Sequence, residues 1–289
     1  MKIERCYDET ISIDVQAKSK EKLTIMLTSD WHYDSASCAI DLLTRHLKVA
    51  EEMQAVVLVA GDVLDVMQGR EDPRRSIEDL KNLYRMDSYF DAVVADTAKF
   101  LSGFDVPAFV LCDGNHEMAV LKHNGVDLLS NVCYQLRYQY HKTAVHGGYY
   151  GYMPIYFHYN KGSATKGKLL YWYHGTSSHA VVTKGMIQVN RQGVWLPDPD
   201  YVLNGHTHDA YTRPEPIEHF SMKTRRSSRG SKLFFRSPGY MMSSTDTKKT
   251  QGYSARKRAP KNLGCYFLTL EYSHSRNDSI EHSYTSVVR

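Results

Sequence analysis

Two hydrophobic periods alternate along the first 112 residues. Ile11, Ile13 and Val15 are separated by polar residues, which predicts a strand with one half-exposed face. Leu23 to Thr28, Ala55 to Ala60 and Val106 to Cys112 are short unbroken apolar runs, as expected of strands buried on both faces. Ile40, Leu43, Leu47 and Ala50 fall three or four positions apart and predict an amphipathic helix over about 37–53. Ile77, Leu80, Tyr84, Val94, Ala98 and Leu101 predict core positions of a long, mostly helical insertion at about 68–103. Strand, helix, strand, helix, strand implies parallel pairing, with functional residues at the carboxyl ends of the strands.

After a shorter helix near 126–137 the texture changes. Tyr149 to Tyr159, Leu169 to Tyr173, Tyr201 to Leu203, Leu233 to Phe235 and Gly264 to Leu270 read as aromatic and aliphatic strands with few helices between them. A second sheet packed on the first accounts for them, within one α/β domain spanning 1–289. The polar stretches 221–231 and 243–261 read as loops, Ser237-Pro238-Gly239 as a turn, and the chain beyond about Ser273 as a frayed polar tail.

Chemistry-bearing residues sit mostly at the ends of the apolar runs. In order they are Asp30-x-His32, Gly61-Asp62, Gly114-Asn115-His116-Glu117, His174 and Gly205-His206-Thr207-His208. Asp, Asn and His are ligands for hard or borderline divalent ions, and a sheet would bring these strand ends to one edge. Taken singly, Asp-x-His or Gly-Asp is a weak motif; the ordered series carries the argument.

In that series the chain resembles the calcineurin-like metallophosphoesterase superfamily, and the match covers most of its length. The resemblance implies a two-sheet α/β/β/α sandwich of the metallo-dependent phosphatase type holding two divalent ions. Manganese is the first expectation, with iron, zinc, cobalt or nickel as alternatives. By resemblance, Asp30, His32 and His208 bind one ion, Asn115, His174 and His206 bind the other, and Asp62 bridges them. His116 is then the general acid or transition-state stabiliser, and Asp65 the acid that orients it. Glu117 reads as a helix N-terminal acid or as support for the ligands. His123, His141, His146, His158 and His179 read as hydrogen-bonded structural residues.

Two departures narrow the class of ester. Protein phosphatases of the superfamily carry Gly-Asp-x-x-Asp-Arg-Gly, whereas Val66 and Met67 follow Asp65 here. They also generally lack the second histidine of Gly-His-x-His, retained here as His208. The Gly-Asn-His-Glu match does occur in them and pulls weakly the other way. On balance the chain is similar to the phosphodiesterase and nuclease branch, with DNA-repair exonucleases among its members.

Charge adds a partner to this picture. The formal net charge is only +4, yet 221–261 holds twelve Lys and Arg against the single acid Asp246, so the remainder is net acidic. Such asymmetry points to a polyanion. Arg225, Arg226, Arg229, Lys248, Lys249, Arg256, Lys257 and Arg258 are the expected substrate contacts, with a nucleic acid or nucleotide as substrate. Interleaved Tyr211, Phe220, Tyr240 and Tyr253 could stack on unpaired bases. The first reading is a nuclease acting on DNA or RNA. A cyclic or small-nucleotide phosphodiesterase follows, then a protein phosphatase, then a non-catalytic scaffold. Five scattered cysteines without a Cys-x-x-Cys, and no apolar leader or membrane-length run, lead us to expect a cytoplasmic protein with no membrane partner. An oligomer is left open.

Overall fold

In the computed structural model the described residues are 1–66, 81–84, 88–159, 166–176, 183, 186–242, 261–274 and 279–289. Among them one sheet is largely parallel. β3 (Glu21–Thr28), β4 (Val56–Val59), β5 (Phe109–Cys112) and β6 (Ala144–Gly147) run side by side, and β12 (Gly264–Ser273) and β13 (Ser279–Val288) extend the sheet antiparallel beyond β3. The other sheet has the order β1 (Lys2–Arg5), β2 (Ile11–Gln16), β7 (Tyr150–His158), β8 (Lys166–Tyr173), β9 (Tyr201–Asn204), β11 (Arg226–Arg236) and β10 (Tyr211–Ser221).

The side-chain period of two assigns each strand residue to a layer. Ile25, Leu27, Val56, Leu58 and Val110 face the second sheet, where they meet Ile13, Ile155, Phe157, Leu170, Trp172 and Phe235 in a dry sandwich core. Their neighbours Met26, Val57, Val59, Phe109 and Leu111 point the other way, onto α1 (Ile40–Glu52), α2 (Tyr89–Ser102) and α4 (Leu128–Tyr138). Both faces of these strands are buried, which is why the sequence shows unbroken apolar runs there. Outside the second sheet, Tyr171, Val202 and Phe234 pack on Val189 of α5 (Met186–Trp195) and on Leu196. Helices, sheet, sheet and helix form the expected α/β/β/α sandwich.

Several local expectations are corrected. The stretch 221–231 is not a loop: β10 and β11 pair over eleven positions, from Tyr211↔Arg236 to Ser221↔Arg226, and only 222–225 turns. The distal half of this ribbon is exposed on both faces, so it lacks the alternation that marks a half-buried strand. Most of the supposed tail is strand β13, paired with β12 from Gly264↔Val288 to Ser273↔Ser279. Its exposed Ser, Glu and His side chains hid it in the same way. Among the described residues of the 68–103 insertion there is a 3-10 turn at Asn82–Tyr84 and a helix at Tyr89–Ser102; Ile77 and Leu80 lie outside the described residues. Helix α3 (Asn115–Asn124) begins where Glu117 reads as a helix N-terminal acid, whereas α5 was not expected. No described helix is long and apolar enough to cross a membrane.

Candidate metal centre

Every motif of the ordered series leaves the carboxyl end of a strand. Asp30 and His32 follow β3, Asp62 follows β4, and Asn115 and His116 follow β5 as the first residues of α3. His174 follows β8, and His206 and His208 follow β9. Strands of both sheets therefore deliver side chains to one edge of the sandwich. Asp30, His32, Asp62, His206 and His208 all have positive φ, between 45° and 73°. Such conformations cost on the order of 1–3 kcal/mol each in non-glycine residues and gather where surrounding structure imposes them. Cross-ties impose them here: Asp30 N–H donates to Gly61 O (2.9 Å), His32 N–H to Asp62 O (3.1 Å) and Tyr240 N–H to Asp30 O (2.9 Å). Gly114 is required by proximity, since a Cβ there would collide with the Asp62 carboxylate.

The side chains converge in two groups. Asp30, His32 and His208 form one, and Asp62, His174 and His206 the other, with ligand atoms in each lying within 4.8 Å of one another. His208 Nε2 is 3.3 Å from Asp30 Oδ1, and His174 Nε2 is 3.2 Å from Asp62 Oδ2. Asn115 Oδ1 stands between His174 Nε2 (3.1 Å) and His206 Nδ1 (2.8 Å). The back of each group is fastened. His174 Nδ1 donates to Ala60 O (2.8 Å), which leaves Nε2 facing inward. Ser29 Oγ and the His206 N–H both donate to the Asp30 carboxylate.

His32 tests whether a metal fits. Its Nδ1 is paired with Asp65 Oδ1 (3.0 Å), so the inward Nε2 is buried with no hydrogen-bond partner. Buried polar atoms are rarely orphaned, and an imidazole lone pair aimed at two buried carboxylates suits a cation. All the donors are oxygen or nitrogen, a set that suits Mn, Fe, Zn or Co; the residues present fit a pair of divalent ions.

Electrostatics say the same. Burial opposes protonation of His32, but Asp65, Asp62 and Asp30 outweigh it and raise its pKa to about 9. Burial likewise opposes His174, and Asp62 and Asp30 carry it to about 9. Burial also works against ionisation of Asp62, yet His116 and His174 hold its carboxyl well below the usual range. Without cations the carboxylates draw protons onto two histidines. Burial pushes His208 down to about 4 and, with His174, lowers His206, leaving both neutral and ready to coordinate.

Asp65 acts differently from expectation. Its carboxylate belongs to His32, and lies 3.6 Å from His116 Nδ1. It is the Asp65 main-chain carbonyl that accepts from His116 Nδ1 (2.5 Å), leaving His116 Nε2 3.8 Å from Asp62 Oδ2. Glu117 fills both roles left open for it: it accepts from Gly114 N–H (2.9 Å) at the start of α3 and from Leu64 N–H (2.8 Å) beyond Asp62. Burial, reinforced by Asp62, pushes Glu117 up to about 8. His146 is structural, set between Asp113 (3.0 Å) and Ser130 (2.9 Å), and His158 bonds Asp14 (2.6 Å). His179 lies outside the described residues.

Of the expected substrate cations, the three that lie among the described residues, Arg225, Arg226 and Arg229, do not gather at the centre. β11 runs parallel to β9 and reaches the centre's edge at Arg236, so its beginning points toward the opposite edge. At ~3.3 Å per residue, Arg229 and Arg226 lie about 23 and 33 Å back along the strand, and Arg225 is in the turn beyond. The reading of 221–231 as a loop left room for these side chains to fold back over the centre, and the paired ribbon holds them away from it. Lys248, Lys249, Arg256, Lys257, Arg258 and Tyr253 lie outside the described residues. Tyr240 is fully buried, its hydroxyl against His46, and is no stacking platform. Asp34, unmarked in the sequence, accepts hydrogen bonds from the Asp65 and Val66 N–H groups and from Tyr89 Oη.

No curated protein matches the chain significantly. Among solved structures it is similar to GAP50, the anchor in the inner membrane complex of Plasmodium, at 14% identity and a TM-score of 0.41 over 92% of this chain and 84% of that one. It is also similar to Vps29 of Chaetomium thermophilum, at 8% identity and a TM-score of 0.31 over 92% and 96%. The family model for calcineurin-like phosphoesterases matches residues 23–210, a span holding both ligand groups and most of the sandwich. By that match the chain belongs to the calcineurin-like phosphoesterase family.

Proposed function

We propose that the chain is a dinuclear metal-dependent phosphodiesterase, with a nuclease as the first reading. The observation that carries it is the convergence of Asp30, His32 and His208 with Asp62, His174, His206 and Asn115 around inward-facing donors. A bound pair of divalent ions would supply an acidified water as nucleophile and positive charge for the phosphoryl oxygens. Asp30, His32 and His208 would hold one ion, Asn115, His174 and His206 would hold the other, and Asp62 would be available to both. His116, its Nδ1–H fixed on the Asp65 carbonyl, carries a second proton on Nε2 when cationic. That proton passes to the leaving oxygen as the P–O bond breaks.

A diester is favoured over a protein phosphomonoester because buried Val66 stands where protein phosphatases carry arginine. Two cations beside the centre are engaged: Arg236 donates to Gly205 O (2.6 Å) and Lys261 pairs with Asp209. Nucleic acid is favoured by charge. The chain carries Lys248, Lys249, Arg256, Lys257 and Arg258 between Met242, bonded to Ser37 O, and Lys261, beside the His208 loop. The distant placement of Arg225, Arg226 and Arg229 favours the second reading, a small cyclic or dinucleotide diester needing no extended track.

The purified protein loaded with Mn²⁺ should hydrolyse bis-p-nitrophenyl phosphate faster than the p-nitrophenyl monoester. His116→Ala should lower turnover by roughly 10²–10⁴ while both ions stay bound. A panel of single-stranded, duplex and cyclic nucleotides then separates the two readings. Loaded protein inert toward every diester would leave a non-catalytic binding role and sink the proposal.

A further inference from the structure

Behind the ligands lies a buried carboxylate that the scheme above does not use. Asp34 is fully buried and accepts from two successive main-chain donors, Asp65 N–H (2.5 Å) and Val66 N–H (3.0 Å). Val66 is β-branched with φ of 39°, a conformation such residues avoid. Successive N–H groups around a left-handed residue form a concave anion-binding nest, and here the chain's own carboxylate fills it. A third bond comes from Tyr89 Oη on the first residue of α2 (2.5 Å).

The nest secures the residue on which two histidines depend. Asp65 holds His32 through its carboxylate and His116 through its carbonyl. Neither His174 nor His206 is bonded to Asp65; they are fixed by Ala60 and Asn115 instead. We propose that Asp34 is a positioning residue that locks the strained Asp65–Val66 turn, and through it His32, so that its loss weakens one ion of the pair selectively. The ion affected is the one held by Asp30, His32 and His208. Tyr89 makes the lock depend on α2. This inference rests on the dinuclear reading.

The test is metal binding rather than turnover. Mn²⁺ is titrated into metal-free wild type, Asp34→Asn and Tyr89→Phe, with stoichiometry from calorimetry and ion pairing from the coupled Mn–Mn electron paramagnetic resonance signal. Wild type should bind two ions and show the coupled signal. Asp34→Asn should retain one ion tightly, lose the coupled signal, and bind the second roughly 10–100-fold more weakly. Tyr89→Phe, which removes one bond and no charge, should weaken the same single ion by about tenfold and leave the other unchanged. Should circular dichroism show Asp34→Asn unfolded, Tyr89→Phe decides alone. Two ions bound with wild-type affinity and coupling in the folded variants overturn the role of Asp34 while the dinuclear reading stands. A wild type that never binds a second ion overturns both.

Discussion

His32 and His174 carry the clearest physical signature of the centre. Both are buried, which alone would strip their protons, yet neighbouring carboxylates hold their pKa values at about 9. At pH 7 the ion-free protein therefore keeps both imidazoles charged, and binding a metal must displace those protons. Calorimetric Mn²⁺ titrations at pH 7, repeated in buffers of different ionisation enthalpy, should show release of up to two protons, with affinity rising as pH is raised toward 9. Proton-neutral binding would contradict this. The sign carries over to folding: a raised histidine pKa stabilises the metal-free fold below about 6.5, and that contribution is lost as pH rises through about 9. These histidines were legible in the sequence because each ends or follows an apolar run. Asp34 was not: its partners are N–H groups of a turn that exists only once Val66 adopts positive φ, and a hydroxyl 55 residues away.

Strand ends and ribbon divide the elements by function. The buried strands announced themselves through unbroken apolar runs, and their carboxyl ends place the ligands. The β10–β11 ribbon announced only its charge. Pro214 and Pro216 lie on β10, the edge strand of its sheet, where an absent N–H is tolerated and discourages pairing with another chain. Beyond Ile217↔Gly230 the ribbon leaves the core and carries Lys223, Arg225, Arg226 and Arg229 toward the edge opposite the metal ligands. Replacing Arg225, Arg226 and Arg229 together by alanine should therefore leave kcat/KM for bis-p-nitrophenyl phosphate within about twofold, since exposed charges this distant are screened within a Debye length of ~8 Å. A tenfold loss on that small diester would show that the ribbon reaches the centre after all. β13 escaped recognition for the same reason as the ribbon: exposed polar side chains conceal a strand whose hydrogen bonds are main-chain.

Across the whole molecule, the two sheets share the centre. Asp30, His32, Asp62 and Asn115 come from the parallel sheet, and His174, His206 and His208 from the other. Each ligand group mixes them: His208 joins Asp30 and His32, while His174 and His206 join Asp62. A bound pair of ions would thus cross-link the sandwich at one edge, and metal affinity would add to the cohesion that the core provides. The second sheet was legible because each half has its own texture, helix-punctuated first and aromatic with few helices later, and the resemblance supplied the α/β/β/α class. The mixed pairing of the second sheet was not legible. Nor was the outer helix α5, because its apolar face is narrow: Val189 alone of its apolar residues is buried. The central claim is that Asp62 joins two cations. It is tested most directly by anomalous diffraction at the manganese edge from crystals grown with Mn²⁺. The account predicts two peaks, one beside Asp30, His32 and His208 and one beside Asn115, His174 and His206, with the Asp62 carboxylate contacting both. A single peak, or two peaks that do not share Asp62, would contradict it.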